Sequence, residues 1–170
     1  MLFRSGGCAG DTGHIILRPG GPACASGCSG CGEALIGVAG IERLAAEGYG
    51  DSRPASELIG AAASRADPVA VQVLAQIGQY TGELLSSLFR IFMPERIALT
   101  GGTSRAGDVL LEAVVARFEA MTGAYYRTYA SLPGVDFAGV QISLSLLKGE
   151  TGVIGAVTEF FRPSDAARSA

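Results

Sequence analysis

Three of the chain's four cysteines, Cys24, Cys28 and Cys31, fall within one stretch of eight residues, and its single histidine, His14, stands ten positions ahead of the first of them. The segment that carries them, Met1 to Gly32, is rich in glycine and cysteine and poor in apolar side chains. Such a segment has little core of its own, so something other than packing has to offset the entropy of ordering it. One imidazole and three thiols make up a full tetrahedral zinc shell, and a closed shell of this kind is structural. Cysteines clustered this closely suit metal binding in a reducing compartment better than a disulfide framework. The competing reading is a hydrogen-bonded core histidine beside small buried cysteines. Cys8 is left over and is expected to be a small buried residue.

The remainder of the 170-residue chain is that of a packed globular protein: 48% hydrophobic, 17% charged, with a formal net charge of -3. This balance excludes intrinsic disorder and a stand-alone nucleic-acid binder, so no nucleic acid is expected to be bound through this segment. The 25 glycines follow no triplet period and mark turns and close backbone approaches. No run of 18 apolar residues and no secretion signal is visible, which sets the expectation of a cytoplasmic protein without membrane contact.

Periodicity predicts an α/β architecture. His14 to Leu17 reads as a short strand, Glu33 to Ala46 as a helix stopped by Gly48, and Glu57 to Ser64 as a short helix. Asp67-Pro68 is a cap followed by a first-turn proline, and it opens a long helix with one apolar face that ends near Pro94. Gly78 and Gly82 stand four apart within it, where they let another backbone approach closely. Arg96 to Thr100 is a strand, Gly101-Gly102-Thr103-Ser104 a glycine turn, and Leu110 to Phe118 helical. A loop containing Tyr125, Tyr126, Tyr129 and Pro133 leads to a second strand, Val140 to Leu144. Gly149, Gly152 and Gly155 line a last helix that runs through Phe161. The expected division is a Gly/Cys-rich, zinc-type segment over 1–32, a helical and α/β lobe over 33–162, and a flexible tail over 163–170.

The sequences AGDTGH at Ala9 to His14 and CASGCSGCGE at Cys24 to Glu33, with the glycine turn after Leu99, resemble the ROK group of repressors, open reading frames and sugar kinases. The resemblance covers nearly the whole chain. In that family the motifs run A-G-E-x-G-H and C-x-C-G-x-x-G-C-x-E at the separation found here. Two residues depart from the pattern: Asp11 replaces a glutamate, and Ser26 takes the place of the middle cysteine while Cys28 occupies a variable position. A hydroxyl is a poor zinc ligand beside a thiolate. Either Cys28 re-threads into the shell with His14, Cys24 and Cys31, or the site is weakened.

The resemblance implies an incomplete lobe of the actin-like ATPase (ribonuclease H-like) fold with a zinc-type Cys/His loop. It also implies that Asp11, His14 and Glu33 hold the hydroxyls of a sugar or amino sugar, that Gly101, Gly102 and Thr103 approach a nucleotide, and that zinc is the cofactor. ATP and magnesium join if the parent is a kinase. Read on the residues alone, Asp11 can instead cap local amides and Glu33 can be a first-turn helix acid. The family's catalytic aspartate and first phosphate loop precede the AGDTGH-like motif, so no catalytic residue is assigned to this chain. The expectation is the C-terminal, sugar-sensing part of a ROK transcriptional regulator that forms a homodimer, with a glucokinase-like ROK sugar kinase as the alternative.

Overall fold

The computed structural model describes residues 10–134 and 139–147. Five α-helices and two strands follow one another there: α1 (Gly32–Ile36), α2 (Val38–Tyr49), α3 (Ala55–Ala63), α4 (Pro68–Phe92), β1 (Arg96–Leu99), α5 (Asp108–Ala130) and β2 (Gln141–Leu144). Short 3-10 turns lie at Thr12–His14 and Thr103–Ala106.

α4 is the axis of the fold, and its start follows from local chemistry. The Asp67 carboxylate accepts from the amides of Val69 at 2.9 Å and Ala70 at 3.3 Å, and Pro68 supplies a first-turn residue with no amide to satisfy. The Tyr49 hydroxyl also donates to Asp67, at 2.6 Å, tying the end of α2 to the start of α4. Ala70, Val73, Leu74 and Ile77 are buried along one face, where they meet Ile41 and Ala45 of α2, Leu58 and Ala62 of α3, and Val109, Leu110 and Val114 of α5. The helix ends where Met93 turns left-handed ahead of Pro94.

Gly78 and Gly82 set how closely α5 lies against α4. A Cβ at Gly78 would stand 2.7 Å from the Ala113 Cβ and 2.8 Å from the Leu110 carbonyl oxygen. One at Gly82 would stand 2.7 Å from the Val114 carbonyl oxygen. The two helices run side by side in the same direction, with Phe89 packed on Phe118 and Tyr126 at ring centroid distances of 5.3 and 4.4 Å. α5 connects β1 to β2, which pair in parallel with Ile97 opposite Ile142 and Leu99 opposite Leu144. Leu99 and Ile142 close the core from the sheet side.

Four expectations need correction. His14 to Leu17 is not a strand: a 3-10 turn precedes a single bridge of Ile16 to Cys31, because this segment pairs with its own loop and not with a sheet. The helix expected over Glu33 to Ala46 is two helices, broken at an extended Gly37. A Cβ at Gly37 would lie 2.6 Å from the Glu33 carbonyl oxygen, and one at Gly40 would overlap the Leu35 carbonyl, so only glycines turn this corner. α2 stops at Gly50, left-handed at φ 77°, two residues after the expected Gly48. Tyr125, Tyr126 and Tyr129 belong to α5, not to a loop, because Tyr126 is drawn into the cluster around Phe89. The expected last helix with its glycines, the tail and Cys8 lie outside the described residues.

A Cys/His cluster with adjoining carboxylates as the candidate site

The loop between the first 3-10 turn and α1 folds as a small hairpin. The Cys24 amide donates to the Cys28 carbonyl at 2.8 Å, the Gly27 amide donates to the Cys24 carbonyl at 3.0 Å, and Ala23 bridges Ser29. Gly27 at φ +88° makes the turn. Residues facing each other across such a pair present their side chains to one side. Cys24 and Cys28 therefore point together, with their Sγ atoms 3.0 Å apart, while Ser26 is exposed at the tip. His14 Nδ1 lies 3.4 Å from Cys28 Sγ and 3.8 Å from Cys24 Sγ. Buried Cys31 completes the group, and the four ligand atoms all lie within 4.8 Å of one another.

This donor set fits zinc. Bonds of about 2.0–2.3 Å in a tetrahedral shell keep the donors within roughly 4 Å of each other, and the cluster meets that to within about an ångström. Its thiols are also unequal. The hydrogen bond from the Cys28 thiol, helped by the backbone at Ser26 and Cys28, pushes Cys24 down to about 6, and the same partnership pushes Cys28 up to about 12. Burial raises the Cys31 thiol, but hydrogen bonds from the Ala34 amide, Cys28 and His14 bring it below its ordinary value. A hydrogen bond with Cys31 raises His14, opposed by desolvation and aided by Asp11.

The other ring nitrogen of His14 faces the opposite way: Nε2 lies 3.6 Å from Asp11 Oδ2. Asp11 makes no capping hydrogen bond to the 3-10 turn it precedes, so its exposed carboxylate is available to a ligand. A Cβ at Gly13 would lie 3.6 Å from Asp11 Oδ1 and 3.8 Å from Glu33 Oε2, so the two carboxylates flank one bare backbone position. Glu33 sits in the first turn of α1, exposed, and has no hydrogen-bond or ion-pair partner among the described residues. Asp11, His14 and Glu33 are thus brought together.

Gly101, Gly102 and Thr103 form a separate turn after β1. Gly101 is left-handed at φ +96°, a Cβ at either glycine would meet nothing within 4 Å, and Ser104 Oγ donates to the Gly101 carbonyl at 2.7 Å. Packing does not demand the second glycine, which leaves this turn open to solvent.

One cluster escaped the sequence reading. Glu83 lies among apolar residues of α4 and is 6% exposed, yet it is held by two arginines. Arg18 of the loop reaches its Oε2 at 2.6 Å and Oε1 at 2.8 Å, and Arg117 of α5 reaches Oε1 at 2.6 and 3.0 Å. An acid on the buried face of a helix is itself a signal, because it has to find a partner there. Burial alone would raise the Glu83 carboxyl, but the hydrogen bonds from Arg18 and Arg117 outweigh it and hold the group below the usual carboxylate range. A depressed folded-state pKa contributes stability that is present above the unfolded value of about 4.3 and lost as pH falls through the folded value. Denaturant unfolding of the Glu83→Gln variant is therefore expected to show lower stability than the parent at pH 7 and a smaller further loss between about pH 4.5 and 3. A parent and variant with parallel pH profiles would remove Glu83 from the acid sensitivity.

Comparison with known proteins agrees on one family. The ROK family profile matches residues 3–158. A glucokinase of Halalkalibacterium halodurans is 33% identical over 169 residues, covering 91% of this chain and 48% of that protein. The DNA-binding transcriptional dual regulator NagC of Escherichia coli is 30% identical over 122 residues, covering 67% of this chain and 30% of that protein. The ROK hexokinase of Thermus thermophilus superposes with a TM-score of 0.70 at 28% identity, over 89% of this chain and 47% of that structure. The chain spans about half the length of the glucokinase and hexokinase it matches. Its structural neighbours include ROK sugar kinases and a ROK family transcriptional regulator, consistent with the actin-like ATPase fold, and no helix among the described residues is long and apolar enough to cross a membrane. The chain belongs to the ROK family.

Proposed function

We propose that this chain supplies the sugar-holding face of a ROK protein, with Asp11, His14 and Glu33 gripping the hydroxyls of a hexose or amino sugar. The observation that carries this reading is the division of the His14 ring, Nδ1 toward the thiols and Nε2 toward Asp11. Ionised carboxylates accept from neighbouring hydroxyls, and an imidazole fixed through one nitrogen offers the other in a defined direction. Zinc bound by His14, Cys24, Cys28 and Cys31 is structural in this reading: it stiffens the loop, and the surrounding side chains meet the sugar. Titration calorimetry with glucose and N-acetylglucosamine tests it. Binding of at least one sugar, weakened tenfold or more in Asp11→Asn and Glu33→Gln, is expected. No heat with either sugar, or affinities indifferent to both substitutions, would defeat it.

Two parent activities use such a face. A sugar-sensing regulator is favoured by the shortened Asp11 carboxylate and by the similarity to NagC, since a sensor needs only to bind and shift a conformational equilibrium. An ATP-dependent sugar kinase is favoured by the similarity to glucokinase across 91% of the chain and by the open turn at Gly101 to Thr103. That turn separates them. Amide resonance shifts at Gly101, Gly102 and Thr103 on titrating magnesium and a non-hydrolysable ATP analogue favour the kinase, and their absence favours the regulator. The expected homodimer belongs to the same proposal and is read by light scattering.

A further inference from the structure

We propose that Glu83 is a positioning residue for the Cys/His cluster, acting through Arg18 and not by touching the cluster itself. This rests on the reading of that cluster as a metal centre. The loop enters α1 through a narrow base. The amides of Leu17 and Arg18 both donate to the Gly30 carbonyl, at 2.8 and 2.9 Å, and the Gly32 amide donates to Ile15 at 3.0 Å. Gly21 donates back to the Arg18 carbonyl at 2.9 Å. Gly30, buried at φ +71°, lies so close that a Cβ there would overlap the Arg18 carbonyl. The backbone of Arg18 is thus wedged against the residue immediately before Cys31, on the segment that leaves His14. Whatever fixes Arg18 fixes the distance between the histidine and the thiols.

Little apolar contact is available to do so. Of the large apolar residues at this base, Ile16 is 46% exposed, and Ile15 and Leu17 are only half-buried. The Arg18 side chain instead reaches α4, forming a forked pair with both Glu83 oxygens, and its guanidinium lies 5.2 Å from the Tyr80 ring one turn earlier. A two-point fork restricts orientation as well as distance. Arg117 shares the same carboxylate but is carried by α5, outside the loop. The network therefore has two arms with different consequences: the Arg117 arm joins helix to helix, and the Arg18 arm joins helix to metal loop.

The arms are separated by comparing Arg18→Met, Arg117→Met and Glu83→Gln in the full chain. Zinc affinity is read by competition with a chromophoric chelator, at a temperature where each variant keeps the parent circular dichroism. Arg18→Met and Glu83→Gln are expected to hold zinc roughly tenfold more weakly or worse, the range seen for residues that orient metal ligands. Arg117→Met is expected to stay within about twofold of the parent while still lowering the unfolding temperature, because it leaves the Arg18 fork in place. Unchanged affinity in Arg18→Met, or an equal loss in Arg117→Met, would overturn the proposal. Amide hydrogen exchange at Leu17 and Arg18 gives a second readout that needs no metal. Faster exchange in Arg18→Met and Glu83→Gln but not in Arg117→Met supports the latch, and identical exchange in all three overturns it. A parent chain that takes up no zinc defeats the metal reading alone, and the exchange comparison then decides whether the latch orders the loop.

Discussion

Cys28→Ser is expected to reduce zinc from close to one ion per chain to close to none, while Ser26→Ala leaves the content unchanged. The two residues are two positions apart and both stand in a loop with the composition of a metal knuckle, yet the hairpin separates them. Gly27 turns the chain so that Cys28 pairs with Cys24 and faces His14 at 3.4 Å, whereas Ser26 is exposed at the tip. Removing one thiolate from a four-donor shell leaves an open position filled by water, and a hydroxyl does not replace a thiolate on zinc. The loss expected in a chelator competition is at least 100-fold, about 2.7 kcal/mol of binding free energy. Elemental analysis of protein purified without chelator checks the content. Cobalt substitution checks the shell, since three thiolates give stronger charge-transfer absorption than two. Full zinc retention by Cys28→Ser would remove Cys28 from the site. Loss on Ser26→Ala would show that the loop adopts the family's register in solution.

The second large effect is steric. Gly82→Val is expected to destabilise the fold by about 3 kcal/mol, at the upper end of overpacking costs, lowering the unfolding temperature by roughly 10 °C for a domain of this size. The Val114 carbonyl oxygen, the Arg117 Cβ and the Phe118 amide nitrogen lie 2.7, 2.9 and 3.1 Å from the position of a Cβ at Gly82. Two of these are backbone atoms of a helix, so relief requires α5 to move away from α4 along its length. The control is Gly60→Ala on the exposed side of α3, where a Cβ meets nothing within 4 Å. There the gain in helix propensity of about 1 kcal/mol is unopposed, and the unfolding temperature should rise. Thermal unfolding followed by circular dichroism reads both. Equal behaviour of the two variants would mean that the α4–α5 contact is looser than its geometry implies.

Much of this architecture could be read along the chain because its signals are local. Asp67-Pro68 starts α4 through hydrogen bonds two and three residues long, and Pro94 lies just beyond its end. The parallel pair of β1 and β2 around α5 follows from two short apolar runs separated by a helical period. The errors arose where a distant partner outweighed a local signal. The three tyrosines and Pro133 suggest a loop, but Phe89 on another helix draws Tyr126 inward and the helix continues to Ala130. Glu83 looks like a flaw in an apolar face until two arginines, 65 and 34 residues away, converge on it.

By itself, the sequence determined the grouping of His14 with the clustered cysteines, the Asp67-Pro68 start of α4 and the family, because residue identity and spacing within a few positions are enough to specify them. Only the tertiary structure decided which of Ser26 and Cys28 faces His14, which way each nitrogen of that ring points, and what anchors the loop to α4. Those outcomes depend on the direction of a side chain, and direction is set by turns and by contacts between segments that spacing alone does not contain.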